Sequence, residues 1–162
     1  MVPLEFSLAA RNLTLRIRER LADGAALSSQ SILWQDASRG RLLIHPPTLV
    51  VRLVGGWLLC NLDAETDQTK RQQLQFVFFL GRRGDGDGPQ AAATINAPSL
   101  LSAQLAAMWG AELQRVLWDV VLDAVEACVH RAEAAHRGQP LTLGGFHADD
   151  DMFRVSVLVG AA

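Results

Sequence analysis

Between Pro98 and Gly138, polar residues recur at every third or fourth position, and this period predicts one long helix. The recurring polar positions are Glu112, Arg115, Asp119, Asp123, Glu126, His130 and Glu133. Pro98 and Ser99 suit a helix start, because proline fits the first turn and serine caps free amide groups. Gly138, followed by Pro140, suits its end.

The apolar surface of this predicted helix is unusually wide. One stripe consists of Leu113, Leu117, Val121, Ala124 and Cys128. A second stripe on the flank consists of Trp118, Leu122, Val125 and Val129. Together they span roughly 240° of the helix, whereas a surface helix needs only somewhat over ~100°. We therefore predict that the first stripe faces a sheet of its own chain. The second stripe faces either another element of the chain, for which the N-terminal segment is the candidate, or a partner chain, and the interface with a partner is favoured.

Alternating apolar residues predict several antiparallel strands before the helix. Residues 32–45 fit a hairpin with its turn at Asp36 to Gly40, and Pro46 with Pro47 is expected to end the second strand, because proline cannot donate to a ladder. Gly55-Gly56 lies between two strand-forming runs and suits a tight turn with positive φ.

The remaining strands are predicted from the same period. Residues 72–81 are predicted to form one strand, residues 92–97 a short one, and Phe153 to Val159 a final one after the helix. The segments 23–31 and 82–90 are interpreted as loops because of their small and polar residues.

The N-terminal segment, residues 4–22, fits two structures. As a helix it places Phe6, Ala10, Leu13, Ile17 and Leu21 on one face. As a strand it would align Arg16, Arg18 and Arg20 on one face. The helix is favoured, because its period starts earlier and meets Gly24, a plausible end.

This order of elements predicts a single α+β domain over residues 1–162. Strands and helices do not alternate as a parallel α/β fold requires. We expect a mostly antiparallel sheet with the long helix packed across one face, followed by a final strand.

Composition and the lack of long apolar runs narrow the expected partners and cellular location of the protein. The net charge of −2 gives no general attraction to nucleic acid, so nucleic acid is not an expected partner. No apolar run is long enough to predict a membrane span, and the N-terminus lacks a secretory pattern, so a cytoplasmic location is expected.

Lys70 is the only lysine among 15 basic residues, which is typical of a bacterial chain encoded by GC-rich DNA. Cys60 and Cys128 lie in apolar runs and are expected to be free and buried.

The residues of this sequence predict no catalytic, cofactor or metal site. The nearest candidate is His147 followed by Asp149, Asp150 and Asp151. Consecutive carboxylates point in different directions, so we interpret this stretch as a solvated loop that does not bind metal. A phosphate-binding glycine loop and a nucleophile elbow are also absent from the sequence.

Two hypotheses of function follow. The first is a non-catalytic interaction or assembly protein, either a homo-oligomer or a subunit of a larger complex, that uses Trp118, Leu122, Val125 and Val129. The alternative is a protein or enzyme that binds a small apolar ligand in a cavity between sheet and helix. Candidate lining residues for that cavity are Trp57, Phe76, Phe78 and Trp118.

Overall fold

A computed structural model describes residues 1–22, 31–82 and 92–161 of the chain. In chain order the elements are β1 (Val2–Ala9), α1 (Ala10–Ala22), β2 (Ile32–Asp36), β3 (Gly40–Val54), β4 (Trp57–Glu65), β5 (Gln72–Phe79), β6 (Ala92–Asn96), α2 (Leu100–Leu105), a π-helical turn (Ala106–Gly110), α3 (Ala111–Ala135), β7 (Leu141–Asp149) and β8 (Met152–Val159). The predicted α+β class is confirmed.

The strands form two antiparallel sheets. The large sheet has the order β2-β3-β4-β5-β6, and the small sheet has the order β1-β8-β7. The final strand therefore does not join the large sheet, because β8 pairs with β1 on one side and β7 on the other.

The predicted long helix is confirmed as α2, the π turn and α3 in direct succession. Ser99 and Ser102 form a reciprocal capping box at its start. The π turn adds one residue to the helical repeat and buries Trp109 and Gly110. Gly138, with φ of 82°, follows the end of the helix.

One apolar core fills the space between the helices and the two sheets. The first stripe of the long helix is in this core, with Leu113, Leu117, Val121, Ala124 and Cys128 each at most 2% exposed. The large sheet contributes one face of every strand from β3 to β5, as the alternation predicted.

The two sheets are joined by backbone hydrogen bonds at one end of the β3–β4 hairpin. The Gly56 amide donates to the Ala148 carbonyl at 2.8 Å, and the Ala148 amide donates to the Gly81 carbonyl at 3.2 Å. Gly56 has φ of 92°, and a Cβ there would lie 3.1 Å from the Gly81 carbonyl carbon. Both the turn and the joint therefore need glycine at this position.

The N-terminal prediction is correct for α1 and wrong for the residues before it. The helix begins at Ala10, and Phe6 lies in β1, opposite Val155 of β8. Leu13, Ile17 and Leu21 form the buried face of α1. Phe6 fits both periods, and pairing with β8 decides in favour of the strand.

The prediction that Pro46 and Pro47 end a strand is wrong. β3 continues to Val54, with an irregularity in its pairing to β4 between His45 and Val50. β2 pairs with β3 only as far as Ile44. The prolines therefore lie where no ladder hydrogen bond needs their missing amide.

The predicted loop around the aspartates is largely a strand. Gly144 to Asp149 belong to β7, and Asp150 and Asp151 form the tight turn to β8 with φ of 51° and 54°. Residues 23–30 and 83–90 of the two other predicted loops lie outside the described residues.

Candidate interaction surface

Strand β6 forms one edge of the large sheet and carries no charge. From Ala92 to Ala111 the sequence contains no Asp, Glu, Lys, Arg or His. Four of the five β6 residues are exposed, and Ile95 is half-buried. Within the described part of the chain, β6 pairs with β5 alone. An edge strand usually carries charge, proline or a covering element to prevent pairing with another chain, and β6 itself has no charge and no proline.

The long helix lies directly above this edge. A Cβ on Gly110 would come within 2.8 Å of the Ile95 side chain, so the helix backbone touches β6. Trp118 stacks on Phe78 of β5, with ring centroids 5.8 Å apart and planes 15° apart. Phe78 is the register partner of Ala93 in β6.

One flank of α3 continues the uncharged surface of β6. Ala111, Trp118 and Leu122 are spaced by seven and four residues, so they lie along the same flank of the helix, and the exposed Arg115 borders that flank on the side of β2. Ala111 is exposed, Trp118 is half-buried and Leu122 is 43% exposed. We call strand β6 together with these three residues the uncharged side.

The chain itself covers part of the predicted interface. Val125 is buried, whereas Trp118 and Val129 are half-buried and pack against the core. Leu122 is the most open of the four predicted residues. Helix α3 also contacts β7 and β8 of the small sheet. Whether the four residues form an interface stays a prediction.

The opposite edge of the large sheet is tied to the helices by charged groups. Arg39, in the β2–β3 turn, contacts Asp36 at 2.9 Å and Glu112 of α3 at 2.6 Å. Its guanidinium lies 4.0 Å from the ring centroid of Trp109. Hydrogen bonds from Arg39 and Ser38 hold the pKa of Asp36 well below its usual range.

Helix α1 adds a second set of charged contacts on this side. Arg20 of α1 lies 3.1 Å from Asp123 and 3.9 Å from Asp119, both on α3. A groove of about 690 Å³ runs along β2 between these contacts, and Trp34 and Trp109 line it. We call β2, α1 and the Arg39 contacts the charged side.

The acidic turn closes a third stretch of sheet edge. Among the described residues, no strand pairs with β3 beyond Ile44 on its β2 side, and Asp151 takes that place at Leu53. The Asp151 amide donates to the Leu53 carbonyl at 2.7 Å, and the Leu53 amide donates to the Asp151 carboxylate at 3.1 Å. Arg52 donates to the same carboxylate at 2.8 Å and is the main cause that lowers the pKa of Asp151.

In the described residues no cluster of three or more His, Cys, Asp and Glu side chains is placed to hold a metal ion. Cys60 and Cys128 are free and buried, as predicted, and burial raises the pKa of Cys60 to about 12. These thiols therefore stay protonated and unreactive at neutral pH.

The four candidate cavity residues do not surround one space. Phe76 and Phe78 are fully buried in the core, and Trp118 covers Phe78 from the helix. Trp57 lies on the opposite face of the sheet, where its ring meets Phe79 at 4.9 Å. This arrangement offers no support for an apolar ligand cavity between sheet and helix.

Comparison of the chain with protein families, curated proteins and solved structures gave no match. None of the described helices is long and apolar enough to cross a membrane. Function is therefore inferred from the surface of the molecule.

Proposed function

We propose that this protein is a non-catalytic assembly protein that pairs with a second copy of itself through the uncharged side. The observation that carries the proposal is the exposed, uncharged edge of β6, with the half-buried Trp118 and the exposed Leu122 on the helix beside it. Two-fold dimers are the commonest oligomers, and an antiparallel strand edge is complementary to itself about a two-fold axis.

Symmetric pairing of β6 defines a specific geometry. Thr94 is the middle residue of the strand, so it would lie opposite Thr94 of the second copy, and Ala92 opposite Asn96. The two five-stranded sheets would form one sheet of ten strands. The two long helices would then face each other across the axis, with Trp118 and Leu122 between them.

The setting of this assembly is part of the proposal. Two free, buried thiols suit a reducing compartment, and the arginine bias suits a bacterial chain. A cytoplasmic bacterial assembly fits both features.

The proposal is tested by replacing Leu122 with glutamate. In the dimer, Leu122→Glu places two carboxylates at the contact, one from each copy. If each lowers the free energy of association by ~1.4 kcal/mol, the dissociation constant rises roughly 100-fold. Leu15→Glu is the matched control, because Leu15 is 56% exposed on α1, away from the uncharged side.

Mass is measured by analytical ultracentrifugation, and folding is checked by circular dichroism. The wild type should have at least twice the 17.6 kDa chain mass, Leu122→Glu should halve that mass without unfolding, and Leu15→Glu should leave it unchanged. A wild type that remains a single chain at high concentration overturns the proposal. Such a result would leave only a different subunit as the partner of this side.

A further inference from the structure

The acidic turn, Asp150 and Asp151, has a strained backbone. It joins β7 to β8 as a two-residue turn, because Asp149 pairs directly with Met152. Both of its residues have positive φ, 51° and 54°. Turns of this shape usually carry glycine at the second position, since glycine adopts positive φ without steric cost. Aspartate tolerates this region better than most residues but is still strained there, so contacts with the rest of the chain hold the turn in place.

Asp151 makes these contacts, and it bridges three elements. Its amide donates to the Leu53 carbonyl of β3 at 2.7 Å, and its carboxylate accepts from the Leu53 amide at 3.1 Å. Its carbonyl accepts from the Ala10 amide, at the start of α1, at 2.9 Å. The guanidinium of Arg52 donates to the same carboxylate at 2.8 Å. Through this one residue the small sheet is bound to the edge of β3 and to α1.

Asp150 has the same conformation without these contacts. Its amide donates to the Asp149 carboxylate at 3.0 Å, and its side chain forms no hydrogen bond or ion pair within the described part of the chain. The two aspartates of the turn therefore share the backbone strain, and only Asp151 offsets it with its side chain.

The other joint between the two sheets does not depend on Asp151. It consists of the backbone bonds of Ala148 with Gly56 and Gly81, at 2.8 Å and 3.2 Å. The Asp151 contacts, by contrast, lie at the surface, where the side chains of Arg52 and Asp151 are 58% and 45% exposed. The contacts of the acidic turn can therefore break while the bonds of Ala148 persist.

We infer that the acidic turn is a strap that closes the edge of β3 at Leu53 and can release it while both sheets stay folded. When the strap is closed, Asp151 occupies the N–H and C=O groups of Leu53, through which an added strand would pair. When it is released, both groups are free. Strands β4 and β5 separate this edge from β6, so the strap does not rest on the proposed β6 pairing.

Protonation of Asp151 is expected to release the strap. Hydrogen bonds from β3, chiefly from Arg52, lower the pKa of Asp151, so its carboxylate is ionised at neutral pH. Arg52 is the charged group that contacts it from β3, Asp149 and Asp150 are the acidic groups of its own hairpin, and among the described contacts α1 contributes the Ala10 amide alone. A neutral carboxyl group is a weaker acceptor, so the strap is released as the pH falls below about 4.

The test is hydrogen exchange of single amides, measured by nuclear magnetic resonance on the whole chain. Asp151→Gly suits the turn but removes the carboxylate, so the protection factor of the Leu53 amide at neutral pH should fall at least about ten-fold. Asp150→Gly relieves the same backbone strain without removing a side-chain contact and should leave that protection unchanged. The Gly56 amide, which donates to Ala148, should stay protected in both variants.

An acid titration of the wild type is the second measurement, so that a folding defect in Asp151→Gly does not decide the result. Between roughly pH 7 and pH 3 the Leu53 amide should lose protection while the Gly56 amide keeps it. Asp151→Asn retains an oxygen that accepts from Leu53 but does not titrate, so its Leu53 protection should stay constant over this range.

Two results would overturn the strap. One is equal protection of the Leu53 amide in Asp151→Gly and Asp150→Gly. The other is loss of Gly56 protection together with that of Leu53, because the two sheets would then open as one unit.

Discussion

At its β2 edge the large sheet is tied to the helices by charged contacts, whereas strand β6 at the other edge carries no charge. Arg39 alone contacts Asp36, Glu112 and Trp109 on the charged side. On the uncharged side the contacts are those of Gly110 with Ile95 and of Trp118 with Phe78. The comparison teaches that the chain ties one edge to its own helices and leaves β6, among the described residues, with β5 as its only partner strand.

The largest expected effect is on the free energy of unfolding, and it distinguishes a tryptophan that stabilises the fold from one that contributes to association. Trp109 is 2% exposed and contacts Trp34 and Arg39, so Trp109→Ala should lower the free energy of unfolding by about 3–5 kcal/mol. Trp118 is half-buried, so Trp118→Ala should cost the fold less and should weaken association instead. Denaturant titration and sedimentation measure the two quantities. A smaller loss of fold stability for Trp109→Ala than for Trp118→Ala would reverse the comparison.

The next effect concerns the edge of β6 itself. Thr94→Lys places two lysines opposite each other at the two-fold axis, and like charges directly opposed cost up to about 1 kcal/mol, or roughly five-fold in the dissociation constant. Thr142→Lys is the matched control, since Thr142 is exposed in the edge strand β7. Equal dissociation constants for the two variants would argue against β6 as the contact.

A smaller effect is the pH dependence of stability, which is expected from Asp36 on the charged side. Hydrogen bonds from Arg39 and Ser38 lower the pKa of Asp36 in the folded chain. The unfolded chain therefore binds the proton first, so the contribution of this group is complete above about pH 5 and is lost as the pH falls through the lowered pKa. The melting temperature of the wild type should fall more steeply below about pH 4 than that of Asp36→Asn. Superimposable pH profiles for the two proteins would contradict this account of the charged side.

The smallest expected effect is the response of association to salt. Strand β6 brings no charged side chain into the contact, so the dissociation constant measured by sedimentation should change less than about two-fold between roughly 50 mM and 500 mM sodium chloride. A steep dependence on salt would show that charged residues form the interface.

The sequence predicts the long helix and the Gly55-Gly56 hairpin well, because each depends on local signals. Ser99 caps the helix, and both glycines adopt the positive φ that the turn needs. The start of α1 was misplaced because apolar residues at positions 4, 6 and 8 lead into the helical period without a polar break. Only the pairing of β1 with β8, a contact distant in sequence, shows which period applies.

The candidate surface was only partly predictable. The helical period identifies Trp118 and Leu122 as a flank separate from the first stripe, but it could not show that Val125, on the same flank, is buried. Strand β6 is short and rich in alanine, so its alternation is weak and its place at the edge is a tertiary property. The signal that the interpretation missed is the run of residues 92–111 without a charge.

The central claim, that β6 pairs with β6 of a second copy, is tested most directly by a symmetric disulfide. In an antiparallel pair the opposed Cα atoms lie about 4.5–5.5 Å apart, within the range that a disulfide spans. The native thiols of Cys60 and Cys128 are buried, so a cysteine at position 94 would be the accessible one.

Under mild oxidation, Thr94→Cys should convert to a covalent dimer, seen on a non-reducing gel and reversed by a reducing agent. Ala92→Cys is the register control, because its two copies would lie roughly 13 Å apart, too far for a disulfide. Thr142→Cys on β7 is the control for random collision. Rapid, nearly complete cross-linking of Thr94→Cys alone is the predicted result. Absence of that cross-link, or equal cross-linking of Ala92→Cys, would contradict symmetric β6 pairing.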